Sequence, residues 1–126
     1  MLENDQLTGQ IIGAAIEVHR ELGPGLLEST YEECLAVELG CRDLKFERQV
    51  SLPINYKSTT VLRSYRLDLV VAKTVIVEIK TIEKILRLHE AQLLTYMKLS
   101  RIPVGLLINF NSIPLKDGIR RLVRSP

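Results

Sequence analysis

The sequence lacks any hydrophobic run long enough to cross a membrane. Its longest apolar stretches, such as Val104 to Ile108, fall far short of the roughly 20 residues that a transmembrane helix requires. The first residues, Met1 to Asp5, also lack the basic and then apolar pattern of a secretion signal. We therefore expect a soluble, cytoplasmic protein with no membrane partner.

Cysteine is scarce, and neither sign of charge is in clear excess. Cys34 and Cys41 form no CxxC pair and have no histidine cluster nearby, so we expect reduced, partly buried thiols and no zinc site. The 17 basic residues are nearly balanced by 15 acidic residues, so the overall charge neither indicates nor excludes a nucleic-acid partner.

Repeats, low-complexity tracts and linkers are absent as well. A hydrophobic content of 46% in 126 residues suits one core, so we expect a single domain over residues 1–126. Hydrophobic residues at three- and four-residue intervals predict helices over residues 7–22, about 26–39 and roughly 84–100.

The segments between the second and third helices have the composition of strands. Residues 46–57, 60–71 and 74–80 are rich in β-branched residues and leucine, and Pro53 indicates that the first of them lies at a sheet edge or bulges. Val104 to Ile108 predicts a strand buried on both faces, and the tail forms a short strand or a helix, of which we favour the strand. This order predicts an α/β fold with a mixed central sheet flanked by helices.

The segment Thr74 to Lys80 carries the most informative polar residues. Side chains alternate along a strand, so Glu78 and Lys80 share one face while apolar neighbours take the other. Charged groups in so apolar a strand are costly unless they pair with each other or with a ligand.

Asp68 lies in the preceding strand and is the natural partner for Glu78. A three-residue loop at 72–74 places Asp68 opposite Glu78 and Arg66 opposite Lys80, whereas a two-residue loop places the carboxylates on opposite faces. We predict an odd-length loop, because only that register builds the site.

Two carboxylates within about 5 Å suit a hard cation such as Mg²⁺, with Mn²⁺ as its substitute. Lys80 would then orient the attacking water or stabilise charge on a phosphate oxygen. The alternative is an Asp/Glu/Lys/Arg salt-bridge cluster at the edge of a sheet.

Gln92 and Tyr96 lie one turn apart in the third helix, within a predicted apolar arc that also includes Leu88 and His89. An amide and a phenol that face the sheet would contact water or phosphate, although a tyrosine in this position is also typical of a core. For His89 we expect a supporting hydrogen bond rather than catalysis.

Glu28 lies in the first turn of the second helix, where the helix dipole favours its charged form. Such a carboxylate is also a common way to stabilise the start of a helix. Tyr31 follows on roughly the same side, so the segment would present an acid and a phenol together. For His19, on the inner side of the first helix, we expect a core histidine that hydrogen-bonds a neighbour.

Motifs spread over nearly the whole chain form a specific set: Gly25-x-x-Glu28-x-x-Tyr31, Glu47-Arg-Gln-Val50, Arg66-Leu-Asp-Leu-Val70, Val77-Glu-Ile-Lys80, His89-Glu-Ala-Gln-Leu-Leu-Thr-Tyr96 and Gly105-Leu-Leu-Ile-Asn-Phe110. This set resembles the GxxExxY family, which is usually placed in the PD-(D/E)XK nuclease superfamily. The resemblance implies a restriction-endonuclease-like core of a helix, three strands, a helix and another strand. It also implies Asp68 and Glu78 as magnesium ligands, Lys80 as the catalytic lysine and Glu28 as a contribution of the first core helix.

Gln92 and Tyr96 also match the QxxxY element of the recombination-associated branch of that superfamily. The chain departs from many relatives at Thr81, where an alanine is expected, and at Ser64, where a glycine is expected. Neither departure involves an implied metal ligand.

Three functions compete on this basis. The leading one is a Mg²⁺-dependent nuclease that uses metal-activated water on nucleic acid, with DNA favoured over RNA. The second is a catalytically silent module that binds nucleic acid or protein, and the third is a phosphodiesterase of small nucleotides. So small a surface predicts that a nuclease would need a homodimer or a partner protein.

Overall fold

The structure is a computed structural model, and it describes residues 4–125 apart from the side chains of residues 62–64. The elements in chain order are α1 (Asp5–Leu22), α2 (Glu28–Cys41), β1 (Phe46–Tyr56), β2 (Thr59–Val71), β3 (Val75–Lys80), α3 (Arg87–Ser100), β4 (Val104–Asn109), a 3₁₀ turn (Leu115–Gly118) and β5 (Ile119–Val123). The predicted α/β order is confirmed, and the tail contains the favoured strand. None of the described helices is long and apolar enough to span a membrane.

The five strands form one mixed sheet in the order β1-β2-β3-β4-β5. β3 and β4 are parallel because α3 crosses between them, and the other neighbouring pairs are antiparallel. β1 is an edge strand, and its register shifts between Leu52 and Ile54, on either side of Pro53. Both expectations for Pro53 are therefore met.

Helices cover both faces of the sheet. The core on the face of α1 and α2 includes Ile11, Ala15, Leu35, Leu39, Leu69, Val77 and Leu106. The core on the face of α3 includes Leu52, Val70, Ile76, Leu93, Met97 and Leu107. All residues of β4 are buried, which confirms the prediction that this strand is covered on both sides.

The apolar arc predicted for the third helix is too broad. α3 begins at Arg87, and its buried residues are Leu93 and Met97, whereas Leu88 is 77% exposed. Leu93 and Met97 lie against β4 at Gly105, so a narrow stripe of the helix packs on the sheet.

The two cysteines are free thiols at different depths of α2. Cys34 is half-buried, as expected, but Cys41 is exposed because it ends the helix. Partial burial was therefore predicted correctly for one of the two.

Gly105 provides a test of this packing. A Cβ atom at Gly105 would lie 2.8 Å from Met97 Sδ and 2.9 Å from Leu93 Cγ. We expect Gly105→Ala to lower the free energy of unfolding in urea by about 1–3 kcal/mol, because the side chains of Leu93 and Met97 must shift to make room. Gly9→Ala is the matched control, since a Cβ in this part of α1 meets nothing within 4 Å, and it should raise stability by about 0.5–1 kcal/mol. Equal effects of the two changes would contradict the close contact.

Candidate functional site

The turn between β2 and β3 has the predicted odd length. β2 ends at Val71 and β3 begins at Val75, so three residues connect them. Ala72 and Lys73 adopt left-handed conformations with φ angles of 52° and 55°. The N–H of Thr74 donates to the carbonyl of Val71 at 2.9 Å, which closes the turn.

The backbone pairing between β2 and β3 stops next to Asp68 and Glu78. Its last backbone pair is Leu69↔Val77, in the predicted register. At the next position, Glu78 Oε2 accepts a hydrogen bond from the N–H of Asp68 at 2.8 Å, and Asp68 Oδ2 accepts one from the N–H of Ile79 at 2.8 Å. These two hydrogen bonds fix both carboxylates between the strands.

Each carboxylate keeps its second oxygen available. Asp68 Oδ1 and Glu78 Oε1 accept no hydrogen bond from any side chain or backbone group whose position the structure describes. The ion pairs among the described side chains all lie elsewhere, so the alternative of a salt-bridge cluster is not formed there. Arg66 pairs with Ser51 of β1, and its predicted pairing with Lys80 falls beyond the end of the β2–β3 ladder.

Burial and mutual repulsion disfavour two negative charges at this position. Glu78 is 6% exposed, and burial, followed by the charge of Asp68, raises its pKa from 4.5 to about 8. Burial also raises the pKa of Asp68, with smaller contributions from the charges of Glu32 and Glu28. The charge of Lys80 lowers the pKa of both carboxyls. Such a pair favours the uptake of a proton or a cation.

The first turn of α2 reaches the end of β3. Glu28 Oε2 accepts a hydrogen bond from the N–H of Thr81 at 3.3 Å. The charge of Glu28 also raises the pKa of both Asp68 and Glu78. The structure therefore brings Glu28 to the carboxylate pair.

α3 brings Tyr96 toward the carboxylates and leaves Gln92 on its surface. The pKa of Tyr96 is raised first by burial and then by the charges of Glu78, Tyr65 and Asp68. Gln92, one turn earlier, is exposed, so its predicted place in a buried arc is wrong, because α3 touches the sheet along a narrower stripe. Its amide is accessible to a ligand.

Glu32 is a buried carboxylate that the sequence analysis did not identify. It supports β1 next to Asp68. Glu32 of α2 accepts hydrogen bonds from Arg48 Nε at 3.0 Å and Gln49 Nε2 at 2.6 Å. Gln49 has a φ angle of 50° and is left out of the β1–β2 pairing where it would oppose Asp68. The available signal was helical spacing, since Glu32 shares the inner stripe of α2 with Leu35.

Tyr31 has a structural role. Its hydroxyl donates to the carbonyl of Gly23 at 2.5 Å and accepts from the N–H of Leu26 at 3.2 Å. Its ring stacks on Phe110 with centroids 4.4 Å apart. The expectation that Tyr31 presents a phenol beside Glu28 is wrong, because the hydroxyl is occupied in fixing the loop before α2.

The structure also defines the contacts of the two histidines. His89 Nδ1 accepts a hydrogen bond from the N–H of Leu86 at 2.9 Å, which supports the start of α3. His19 Nε2 is buried and has no hydrogen-bond partner in the described part of the chain, so the predicted bond is missing. Its ring centroid lies 6.3 Å from that of Phe110, with the two planes inclined by 37°.

Asn109 joins the loops at the end of β3 where Lys80 lies. Its Oδ1 accepts from the N–H groups of Ile82 at 3.1 Å and Asn111 at 3.2 Å, and its Nδ2 donates to the carbonyl of Ile82 at 2.9 Å. Asn111 Oδ1 accepts in turn from the N–H of Gly25 at 3.2 Å. The loops after β3 and β4 are thereby tied to the loop before α2.

The carboxylate pair fits a hard divalent cation. No group of three or more His, Cys, Asp or Glu side chains forms a metal cage among the described residues. Mg²⁺ nevertheless keeps several of its waters and is commonly held by one or two carboxylates. Asp68 and Glu78 each have an oxygen available for it, and a positive ion would offset their repulsion.

A family model described as the PD-(D/E)XK nuclease superfamily matches residues 5–122. No curated protein and no solved structure matches the chain. The finer GxxExxY assignment stays a prediction, since the match reaches only the superfamily. Because the matched residues include α1 to α3 and the strands that carry Asp68 and Glu78, the protein belongs to the PD-(D/E)XK nuclease superfamily.

Proposed function

We propose that the protein is a Mg²⁺-dependent nuclease that hydrolyses phosphodiester bonds of nucleic acid. The observation that carries this proposal is the carboxylate pair, in which Asp68 and Glu78 are each fixed to the opposite strand through one oxygen. Membership of the superfamily supports a nucleic-acid substrate.

Asp68 and Glu78 would hold the ion, and Mn²⁺ would substitute for Mg²⁺. The bound ion supplies a Lewis acid that lowers the pKa of water and neutralises phosphate charge. Lys80 ends β3 beside both carboxylates, and its ammonium would stabilise the negative charge that develops on the phosphate oxygens during attack.

The remaining candidates are Glu28, Gln92 and Tyr96. Glu28, held at the N–H of Thr81, would orient the attacking water through its second oxygen. Gln92 would donate from its exposed amide to a phosphate oxygen. Tyr96 is a phenol whose pKa is raised further above neutral by burial, so it would donate a hydrogen bond to phosphate or water.

DNA is the substrate we favour over RNA, because Gln92 and Tyr96 resemble the QxxxY element of recombination-associated nucleases. The 17 basic and 15 acidic residues give little electrostatic attraction for a duplex. A homodimer or a partner protein would supply the additional contact surface.

The same balance of charge favours a second candidate function. A catalytically silent module that binds nucleic acid or protein would keep the fold and need no metal. The two candidates differ in whether the carboxylate pair binds an ion.

Titration with Mn²⁺, followed by the loss of the free-ion electron paramagnetic resonance signal, separates them. We expect the wild-type chain to bind Mn²⁺, and Glu78→Gln or Asp68→Asn to weaken binding by at least about 10-fold, because each removes a charged oxygen ligand. Glu33→Gln is the matched control, since Glu33 is an exposed carboxylate on α2, and it should bind as wild type. Equal binding by all four proteins would favour the silent module.

A further inference from the structure

Tyr65 and Tyr96 form an aromatic pair beside the carboxylates. Their ring centroids lie 6.3 Å apart and their planes are inclined by 57°. Tyr65 pairs in the sheet with Leu52, which belongs to the core on the α3 face, and Tyr96 packs against that same core. The charges of Glu78 and Asp68 act on the Tyr96 hydroxyl, so the pair lies close to the proposed site of hydrolysis.

Tyr65 contacts the ring of Tyr96 and is still accessible to solvent. It is 43% exposed, and it lies three residues before Asp68 on β2. An inclined pair covers one side of a ring and leaves much of the other side open. A ring held in this way loses little conformational entropy when a flat ligand stacks on it.

We propose that the exposed face of Tyr65, supported by Tyr96, stacks on an unpaired nucleobase of the strand whose phosphate lies at Asp68 and Glu78. The substrate class is therefore single-stranded nucleic acid. This inference rests on the proposed function and specifies its substrate.

The stacking of bases in a duplex explains the preference. In a duplex the faces of each internal base are covered by its neighbours, whereas an unpaired base can leave the stack and pack on an aromatic side chain. Stacking on a tyrosine does not depend on net charge, so it suits a chain with 17 basic and 15 acidic residues. It also predicts tolerance of base sequence, because every base has an aromatic face.

The test measures binding and cleavage of fluorescent oligonucleotides of one sequence, either single-stranded or in a blunt duplex. Binding is measured with Mg²⁺ in a Lys80→Met background, and cleavage with Mg²⁺ in chains that retain Lys80. Tyr65→Ala removes the ring, Tyr65→Phe keeps the ring without its hydroxyl, and Tyr65→Leu keeps apolar bulk without a flat face. Val37→Ala, an exposed change on α2, is the control, and far-ultraviolet circular dichroism checks that each variant folds.

Single strands should bind at least about 10-fold more tightly than the duplex. Tyr65→Ala and Tyr65→Leu should weaken single-strand binding by about 10-fold or more, whereas Tyr65→Phe and Val37→Ala should leave it near wild type. Equal loss in Tyr65→Phe and Tyr65→Ala would overturn stacking in favour of a hydroxyl contact. Equal cleavage of single strand and duplex, unaffected by Tyr65→Ala, would overturn the inference while the nuclease function stands. Absence of both binding and cleavage for every oligonucleotide would instead refute the proposed function.

Discussion

Replacing Lys80 with methionine is expected to reduce the rate of phosphodiester hydrolysis by about 10²–10³-fold while Mn²⁺ binding is retained. The reason is that the ammonium would stabilise charge that develops on the phosphate only during attack, and loss of one such group typically has this effect. The change leaves the carboxylates in place, because their hydrogen bonds come from the N–H groups of Asp68 and Ile79.

Single-turnover cleavage of a single-stranded oligonucleotide, together with the Mn²⁺ titration, measures both quantities. Lys84→Met is the matched control, since Lys84 is exposed in the loop that follows β3, and it should cleave as wild type. Asp68→Asn should lose metal binding and cleavage together. Wild-type cleavage by Lys80→Met would show that Lys80 has no part in the chemistry.

The metal-free protein is expected to lose stability as pH rises through the range in which Glu78 titrates. The pKa of Glu78 is raised from 4.5 to about 8 in the folded state, so the folded chain binds more protons than the unfolded chain between these values. The stabilising contribution is therefore complete below the unfolded pKa and is lost as pH rises toward the folded pKa. The slope approaches about 1.4 kcal/mol per pH unit for one proton, and the raised pKa of Asp68 acts in the same direction.

Urea unfolding in the presence of a chelator, at several values from about pH 5 to about pH 8, measures this loss as a few kcal/mol at most. Glu78→Gln removes the titrating group and should flatten the profile, which separates its contribution from that of other residues. Mg²⁺ or Mn²⁺ added at the high end of the range should restore stability, because an ion that binds only the folded chain stabilises it. A wild-type chain whose stability rises over this range, relative to Glu78→Gln, would contradict the pKa shift.

Local patterns were sufficient to predict the order of elements. The register of β2 against β3 was predicted from the requirement that Asp68 and Glu78 lie together, because the sequence allows a turn of two or of three residues. Alternation and helical periodicity are properties of neighbouring residues, and the face shared by Asp68 and Glu78 follows from the length of one turn. Helix ends were less well predicted, as at Arg87, because they depend on where a helix meets the sheet.

Contacts between distant residues were beyond these patterns. Glu32 accepts hydrogen bonds from Arg48 and Gln49 across 16 and 17 residues of sequence, and nothing in local spacing identifies those partners. Tyr31 was misassigned for a similar reason, since its hydroxyl binds the loop that precedes its helix. Satisfying a buried polar group is a tertiary requirement, and the partner is identified only when the chain is folded.

The backbone pairing of β2 with β3 stops before Asp68 and Glu78, and this affects how the fold unfolds. β2 and β3 share only the backbone pairs from Val71↔Val75 to Leu69↔Val77, whereas β3 is paired with β4 from Val75 to Lys80. Since this short ladder and the two carboxylate hydrogen bonds join β2 to β3, we expect the β1–β2 hairpin to detach here at a lower free energy than global unfolding requires. Because the two carboxylates lie on opposite sides of the junction, partial opening would separate them.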